Sequence, residues 1–178
     1  SAVGEVVFNT AMTGYQEILT DPSYCGQIVA MTFPLIGNCG INPDDHESWR
    51  PHLSGVVVKE LPRRPSNYRS TLALAEFLEK HQLIGLAGVD TRALTRRLRI
   101  HGALRGIVST AIDDDLELVR RARASEQMAG ANLVPRVASK EISEWVRPLV
   151  RLDGEHGAAP AARSGHLVAF DCGIKHNI

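Results

Sequence analysis

EVVFNTAMTGYQEILTDPSYCGQIVAMTF, residues 5–33, decides how the chain begins to fold. Glu5-Val6-Val7-Phe8 is rich in β-formers and reads as a short strand. Thr13-Gly14-Tyr15-Gln16 fits a capping box, in which the Thr13 hydroxyl and the Gln16 side chain would satisfy helix-end amides. The helix it opens must be brief, because Asp21 precedes Pro22 and the residue before a proline is pushed out of helical geometry. Gln27 to Phe33 is again rich in β-formers, and Pro34 closes it. Strand, helix and strand within 29 residues predict an α/β chain.

The same alternation continues outward. Residues 34–49 are rich in Pro, Gly, Asn and Asp and predict an irregular connection before a buried strand at Gly55-Val56-Val57-Val58. In residues 71–81, Leu74, Phe77 and Leu78 recur at i, i+3 and i+4 on one helical face, so that helix packs on a core. Leu83 to Val89 gives a small strand, and Asp90 or Thr91 caps a helix through Leu94 and Leu98 that stops at Gly102. Leu104 to Ser109 forms another strand, and Asp113-Asp114-Asp115 opens a helix to about Ala124. Val137 to Leu149 is ambiguous. Residues 151–164 (RLDGEHGAAPAARS) suit an exposed linker, with the domain boundary placed after residue 150 and a second unit starting at residue 166. There Leu167-Val168-Ala169-Phe170 reads as a strand entering the Asp171-Cys172-Gly173 turn.

Composition excludes several function classes. The chain has 178 residues, 44% of them hydrophobic, with 20 Lys and Arg against 20 Asp and Glu, so no basic field is present to hold a nucleic acid or an anionic membrane. No apolar run approaches the roughly 20 residues that span a bilayer, and Ser1 to Gly4 carries no signal architecture, which gives a cytoplasmic expectation. Three widely spaced cysteines, Cys25, Cys39 and Cys172, argue against a disulfide framework and a zinc site. Both ends read as cut from a longer chain.

Autonomous chemistry is hard to find. His46 and His52 match no common zinc spacing and are expected to face solvent. Gly37-Asn38-Cys39-Gly40 lacks the length and the Lys-Ser/Thr of a phosphate-binding loop, and no GxGxxG occurs. Asp113 to Asp115 complement a helix N-terminus better than they bind a cation. Arg92, Arg96, Arg97 and Arg99 put four guanidinium groups on one helix, either a solvated face or a surface for an acidic or phosphate-bearing partner. Cys172 sits at a strand-to-turn junction where nucleophiles are placed, with His176 nearby, but Asp171 beside it disfavours a thiolate. A cysteine hydrolase built on Cys172 and an interaction or nucleotide-sensing module built on the arginine helix are therefore the alternatives that residue chemistry leaves open.

A longer match narrows the choice. NTAMTGYQEILTDPSYCGQIVAMTFPLIGNCGIN (9–42), GVDTRALTRRLRIHG (88–102) and VAFDCGIKHNI (168–178), in that order, strongly resemble the small, glutaminase subunit of glutamine-dependent carbamoyl phosphate synthetase. The resemblance implies a swivelling β/β/α three-layer N-terminal domain over residues 1–150, a linker, and the first strand of a flavodoxin-like class I glutaminase domain. It implies glutamine hydrolysis through a Cys-His-Glu triad, matched by no residue here, so no catalytic residue and no metal or cofactor site are assigned to this stretch. Ammonia would pass to a large subunit that uses ATP with a divalent cation such as Mg and bicarbonate, for arginine and pyrimidine synthesis. The N-terminal domain would dock that subunit, with Arg92, Arg96, Arg97 and Arg99 as interface candidates, and buttress the glutaminase. Ser23, in the family's DPSY turn, would approach the glutamine; its alternative is a turn hydroxyl bonded to its own backbone. The family also carries a strand pair ahead of the position matched by Ser1, so an unpaired sheet edge is expected here. Cys25 and Cys39 depart from the family's usual residues and are expected to pack as small apolar side chains.

Overall fold

The computed structural model describes residues 1–145 and 165–176. Five strands form one sheet: β1 (Ala2–Asn9), β2 (Gln27–Met31), β3 (Gly55–Val57), β4 (Ile84–Leu86) and β5 (Leu104–Val108), in the order β4-β3-β2-β1-β5. β1 to β4 run parallel, and β5 returns antiparallel beside β1. The helices are α1 (Tyr15–Thr20), α2 (Leu74–Lys80), α3 (Thr91–His101), α4 (Asp115–Ala124) and α5 (Val134–Val137).

Side chains alternate across a strand, so β2 divides between two cores. Val29 and Met31 face a large one, where Tyr15, Ile18 and Leu19 of α1, Leu74, Phe77 and Leu78 of α2, and Ile36, Ile41 and Leu53 from the connections close over Val56 and Val58. Ile28 and Ala30 face the smaller one, with Val57, Val108 and Leu94 of α3. Helices thus cover both faces of the sheet. β2 and β3 are buried almost throughout, which is why their sequences are continuous apolar runs.

Most expected elements form within a residue or two of their reading. Asp90 accepts from the Ala93 amide as the cap of α3, and that helix ends at Gly102. Asp114 caps α4 by accepting from the Leu116 and Glu117 amides, so the acidic run serves the helix terminus.

Several expectations are corrected. α1 starts from Gly14, held in a left-handed conformation at φ 75°, with no side-chain cap. The Thr13 capping box does not form because the Gln16 amide is engaged elsewhere: its Oε1 accepts from the Asn42 amide at 2.9 Å, and its Nε2 donates to the Asn42 carbonyl. The expected unpaired sheet edge named no strand: among the described residues β5 pairs along β1 on the side away from β2, so β1 is interior and the unpaired edges are β4 and β5. Residues 167–170 are not a strand. No neighbouring strand among the described residues supplies a ladder, and Leu167 and Phe170 stand exposed. Of the ambiguous stretch from Val137, residues 137–145 are described, and among these only Val137 is helical, at the end of α5. The expected linker at 151–164, and the boundary after residue 150, lie outside the described residues.

Candidate functional site

The turn that ends α1 is an irregular segment anchored on several sides. Asp21 caps a short 3-10 turn, Pro22–Tyr24, by accepting the Ser23 amide at 2.8 Å, while the Cys25 amide donates to the Pro22 carbonyl at 3.1 Å. Pro22 at the first turn position fixes φ where its missing N–H costs nothing. Tyr24 is tied back to β1, its hydroxyl accepting from Asn9 Nδ2 at 2.9 Å. Ser23 lies between these anchors and is exposed.

Behind the turn, the loop that follows Ile41 is folded down over α1. Thr20, fully buried, donates its hydroxyl to the Gln16 carbonyl and accepts from the Glu47 amide, both at 2.9 Å. Ser48 Oγ donates to the Thr20 carbonyl at 2.5 Å. The loop is braced from outside by Arg69, whose guanidinium forks onto Asp45 at 2.8 and 3.2 Å. Gly40, just ahead of the loop, sits at φ 69°, where an added Cβ would fall 1.9 Å from Ser70 Oγ. Its carbonyl accepts from the Tyr15 hydroxyl at 2.6 Å. Burial pushes that phenol well above its ordinary range, so it stays a donor.

This folding overturns the expectation for the histidines. His52 is 4% exposed, with Nε2 at 3.0 Å from Ser48 Oγ and its ring edge-on to Trp49. His46 is half-buried, its Nδ1 2.8 Å from Gln16 Nε2 and its ring against Phe77. A polar loop gave no signal for this. Burial arises because Gln16, Thr20 and Ser48 supply internal partners for the backbone, and the loop closes over the large core.

The third wall comes from far along the chain. Lys175 Nζ lies 2.7 Å from Asp21 Oδ2, and the His176 amide donates to the Glu47 carbonyl at 2.7 Å. Gly173 packs so closely on Val137 and Pro22 that an added Cβ would meet them at 3.0 and 3.2 Å. Asp171 shapes this segment: Oδ1 accepts the Gly173 and Ile174 amides and Oδ2 the Ser139 amide. Burial alone would raise the Asp21 carboxyl, but hydrogen bonds from Lys175 and from Ser23 outweigh it and hold Asp21 ionised below the usual range. Cys172 is exposed at the tip of the Asp171 turn.

The arginines lie apart from the turn, on the other face of the sheet. Leu94 of α3 packs into the small core, while the α1 helix that leads to Ser23 packs into the large one. Arg92, Arg96, Arg97 and Arg99 are all exposed, and none makes an ion pair among the described residues. Arg92, Arg96 and Arg99 share a stripe at spacings of four and three, with Arg97 beside it. Cys25 is buried and Cys39 packs against the large core, both as small side chains. Among the described residues no group of three or more His, Cys, Asp or Glu could hold a metal ion, and no helix is long and apolar enough to cross a membrane. An open apolar groove of about 620 Å³ runs between α2 and β4, away from the turn.

The family model described as "Carbamoyl-phosphate synthase small chain, CPSase domain" matches residues 1–108, which carry the whole sheet and the Ser23 turn. The chain belongs to the carbamoyl-phosphate synthase small chain family. Its curated relatives include carbamoyl phosphate synthase small chains of Nitratidesulfovibrio vulgaris strain Miyazaki F, 53% identical over 98% of this chain, and of Syntrophotalea carbinolica, 52% identical over 98%. That of Nostoc sp. is 47% identical over the full chain. This chain spans 47%, 46% and 46% of those proteins, about half their length. The likeness to the carbamoyl-phosphate synthase small chain family therefore reaches through Lys175 and His176, the two residues that close the site. Sequence reasoning had singled out Ser23 from this family's turn but missed its supports, Asp21, Lys175, Ser48 and His52; the proximity of Asp21 to Lys175 has no signature at a separation of 154 residues.

Proposed function

We propose that the chain is the N-terminal part of the glutaminase subunit of a glutamine-dependent carbamoyl phosphate synthetase, and that it presents Ser23 to glutamine bound in an adjoining amidotransferase domain. The observation that carries this reading is the turn itself. Ser23 is exposed at the tip of a segment whose neighbours are pinned to β1, to the loop after Ile41 and to residues 171–176. Order of this kind around an exposed hydroxyl suits a contact that must be made in one geometry. Glutamine would be hydrolysed by a Cys-His-Glu triad contributed from outside these residues. The ammonia released would serve a large subunit that joins it to bicarbonate with ATP and a divalent cation, in the cytoplasm, for arginine and pyrimidine synthesis. The arginine face of α3 would dock that subunit. Alone, this chain is expected to hydrolyse no glutamine and make no carbamoyl phosphate.

Ser23→Ala, made in the full-length subunit assembled with its large subunit, tests the reading. A hydroxyl bonding a polar substrate group contributes about 0.5–1.5 kcal/mol, so the KM for glutamine should rise by up to about tenfold with a smaller change in kcat. Ammonia-dependent synthesis should be unchanged. An unaltered KM with a lowered melting temperature would return Ser23 to a purely structural turn.

A further inference from the structure

We infer that Ser48 and His52 are positioning residues for Ser23, forming a buried relay that fixes the peptide plane from which the serine turn departs. The inference rests on the glutamine-facing reading of Ser23 and extends it to two residues that touch no substrate.

The relay can be followed atom by atom. Ser48 Oγ lies 2.5 Å from the Thr20 carbonyl, 3.1 Å from the Arg50 carbonyl and 3.0 Å from His52 Nε2. Its single proton goes to the nearer carbonyl, that of Thr20, so its lone pair is left to accept from His52 Nε2–H. This sets the tautomer: Nε2 carries the proton and Nδ1 is bare. Nδ1 is fully enclosed and has no hydrogen-bond partner among the described residues. Thr20, Ser48 and His52 are 0%, 2% and 4% exposed.

The Thr20 carbonyl belongs to the peptide that leads into Asp21, whose carboxylate holds the Ser23 amide and Lys175. A rotation of that peptide would swing Asp21 and carry Ser23 with it. The relay opposes this rotation from inside the fold, where water cannot compete. Its far end is fixed too. Trp49 packs edge-on to the imidazole, Arg50 stacks on Trp49 at 4.5 Å, and Arg50 Nη2 donates to the Arg136 carbonyl in α5, the helix whose Val137 packs on Gly173. One loop therefore braces the serine turn and the 171–176 segment together.

Packing alone does not account for the pair. A buried imidazole with an unsatisfied nitrogen is a costly way to fill space, and an apolar side chain would fill it at lower cost. What an apolar side chain lacks is the donor that orients the Ser48 hydroxyl toward the Thr20 carbonyl.

The test uses the full-length subunit assembled with its large subunit and four variants: Ser48→Ala, His52→Leu, His52→Gln and the double Ser23→Ala/Ser48→Ala, alongside Ser23→Ala. The side-chain amide introduced by His52→Gln can place its nitrogen where His52 Nε2 lies, so this variant keeps the donor. Ser48→Ala and His52→Leu should raise the KM for glutamine three- to tenfold, with kcat for ammonia-dependent synthesis within twofold of wild type. His52→Gln should restore KM to within twofold. The double variant should have the KM of Ser23→Ala alone, because a relay that acts through Ser23 has nothing left to position. Should His52→Leu fail to fold, Ser48→Ala and the double variant decide the matter. Ser48→Ala and His52→Leu that melt earlier at unchanged KM would overturn the relay while leaving the Ser23 reading intact, as would a double variant whose effects multiply. A silent Ser23→Ala would overturn both.

Discussion

Acidification is the perturbation with the most direct readout. Burial, reinforced by the Arg50 guanidinium, depresses the His52 pKa from about 6.5 to about 4. A histidine depressed in the folded state binds fewer protons there than in the unfolded chain. Its stability contribution is therefore complete above about pH 6.5 and is lost as pH falls toward about 4. Integrating between those limits gives a loss of about 2 kcal/mol at pH 5 and about 3 kcal/mol at pH 4. His81, also depressed by burial, adds in the same window, and Glu17, raised by burial, opposes it. The comparison of wild type with His52→Gln removes both, since glutamine keeps the donor to Ser48 and does not titrate. Urea unfolding at pH 7.5 and pH 5.0 should show a wild-type loss exceeding that of His52→Gln by about 2 kcal/mol, close to 1 M in midpoint for an m-value of about 2 kcal/mol/M. Parallel losses in the two proteins would mean that the imidazole is hydrated or partnered, and would refute the buried neutral tautomer.

Three further outcomes are expected. Changing Arg96, Arg97 and Arg99 together to Glu should weaken the complex with the large subunit or flatten its salt dependence in sedimentation, whereas single changes should be nearly silent because exposed ion pairs contribute about 0–1 kcal/mol each. An intact and equally salt-sensitive complex would place the interface elsewhere. Phe77→Ala, at a side chain 2% exposed and packed between His46 and His81, should cost about 3–5 kcal/mol in calorimetry or urea unfolding; a loss under about 1 kcal/mol would mean that the core refills the space. Cys172→Ser in the full-length subunit should leave glutamine hydrolysis within twofold of wild type, since the thiol stands exposed on an Asp171 turn, and abolished turnover would reinstate it as a nucleophile.

By itself the sequence determined the order of elements from β1 to α4 and the chemistry of several of their ends. The continuous apolar runs of β2 and β3, the i, i+3, i+4 face of α2, the Asp90 cap and Gly102 stop of α3, and the Asp114 cap of α4 all rest on interactions within a few residues, and such interactions leave a pattern in the local sequence. It also carried the family likeness and pointed to Ser23. Tertiary structure decided everything that required distant groups to compete for the same atoms. Gln16 looked free to cap its own helix, but the Asn42 backbone, 26 residues on, claims its amide, and Gly14 begins the helix instead. Strand order was not legible locally: β5, far along the chain, returns beside β1 and leaves the edges to β4 and β5, and Leu167 to Phe170 looked like a strand although no ladder partner among the described residues meets it. His52, read as a surface residue, is buried because Ser48 and Thr20 supply the partners that let a polar loop leave water. The physical reason is the same in each case: a hydrogen-bonding group is assigned by whichever partner the closed fold brings within about 3 Å, and local spacing cannot record that choice.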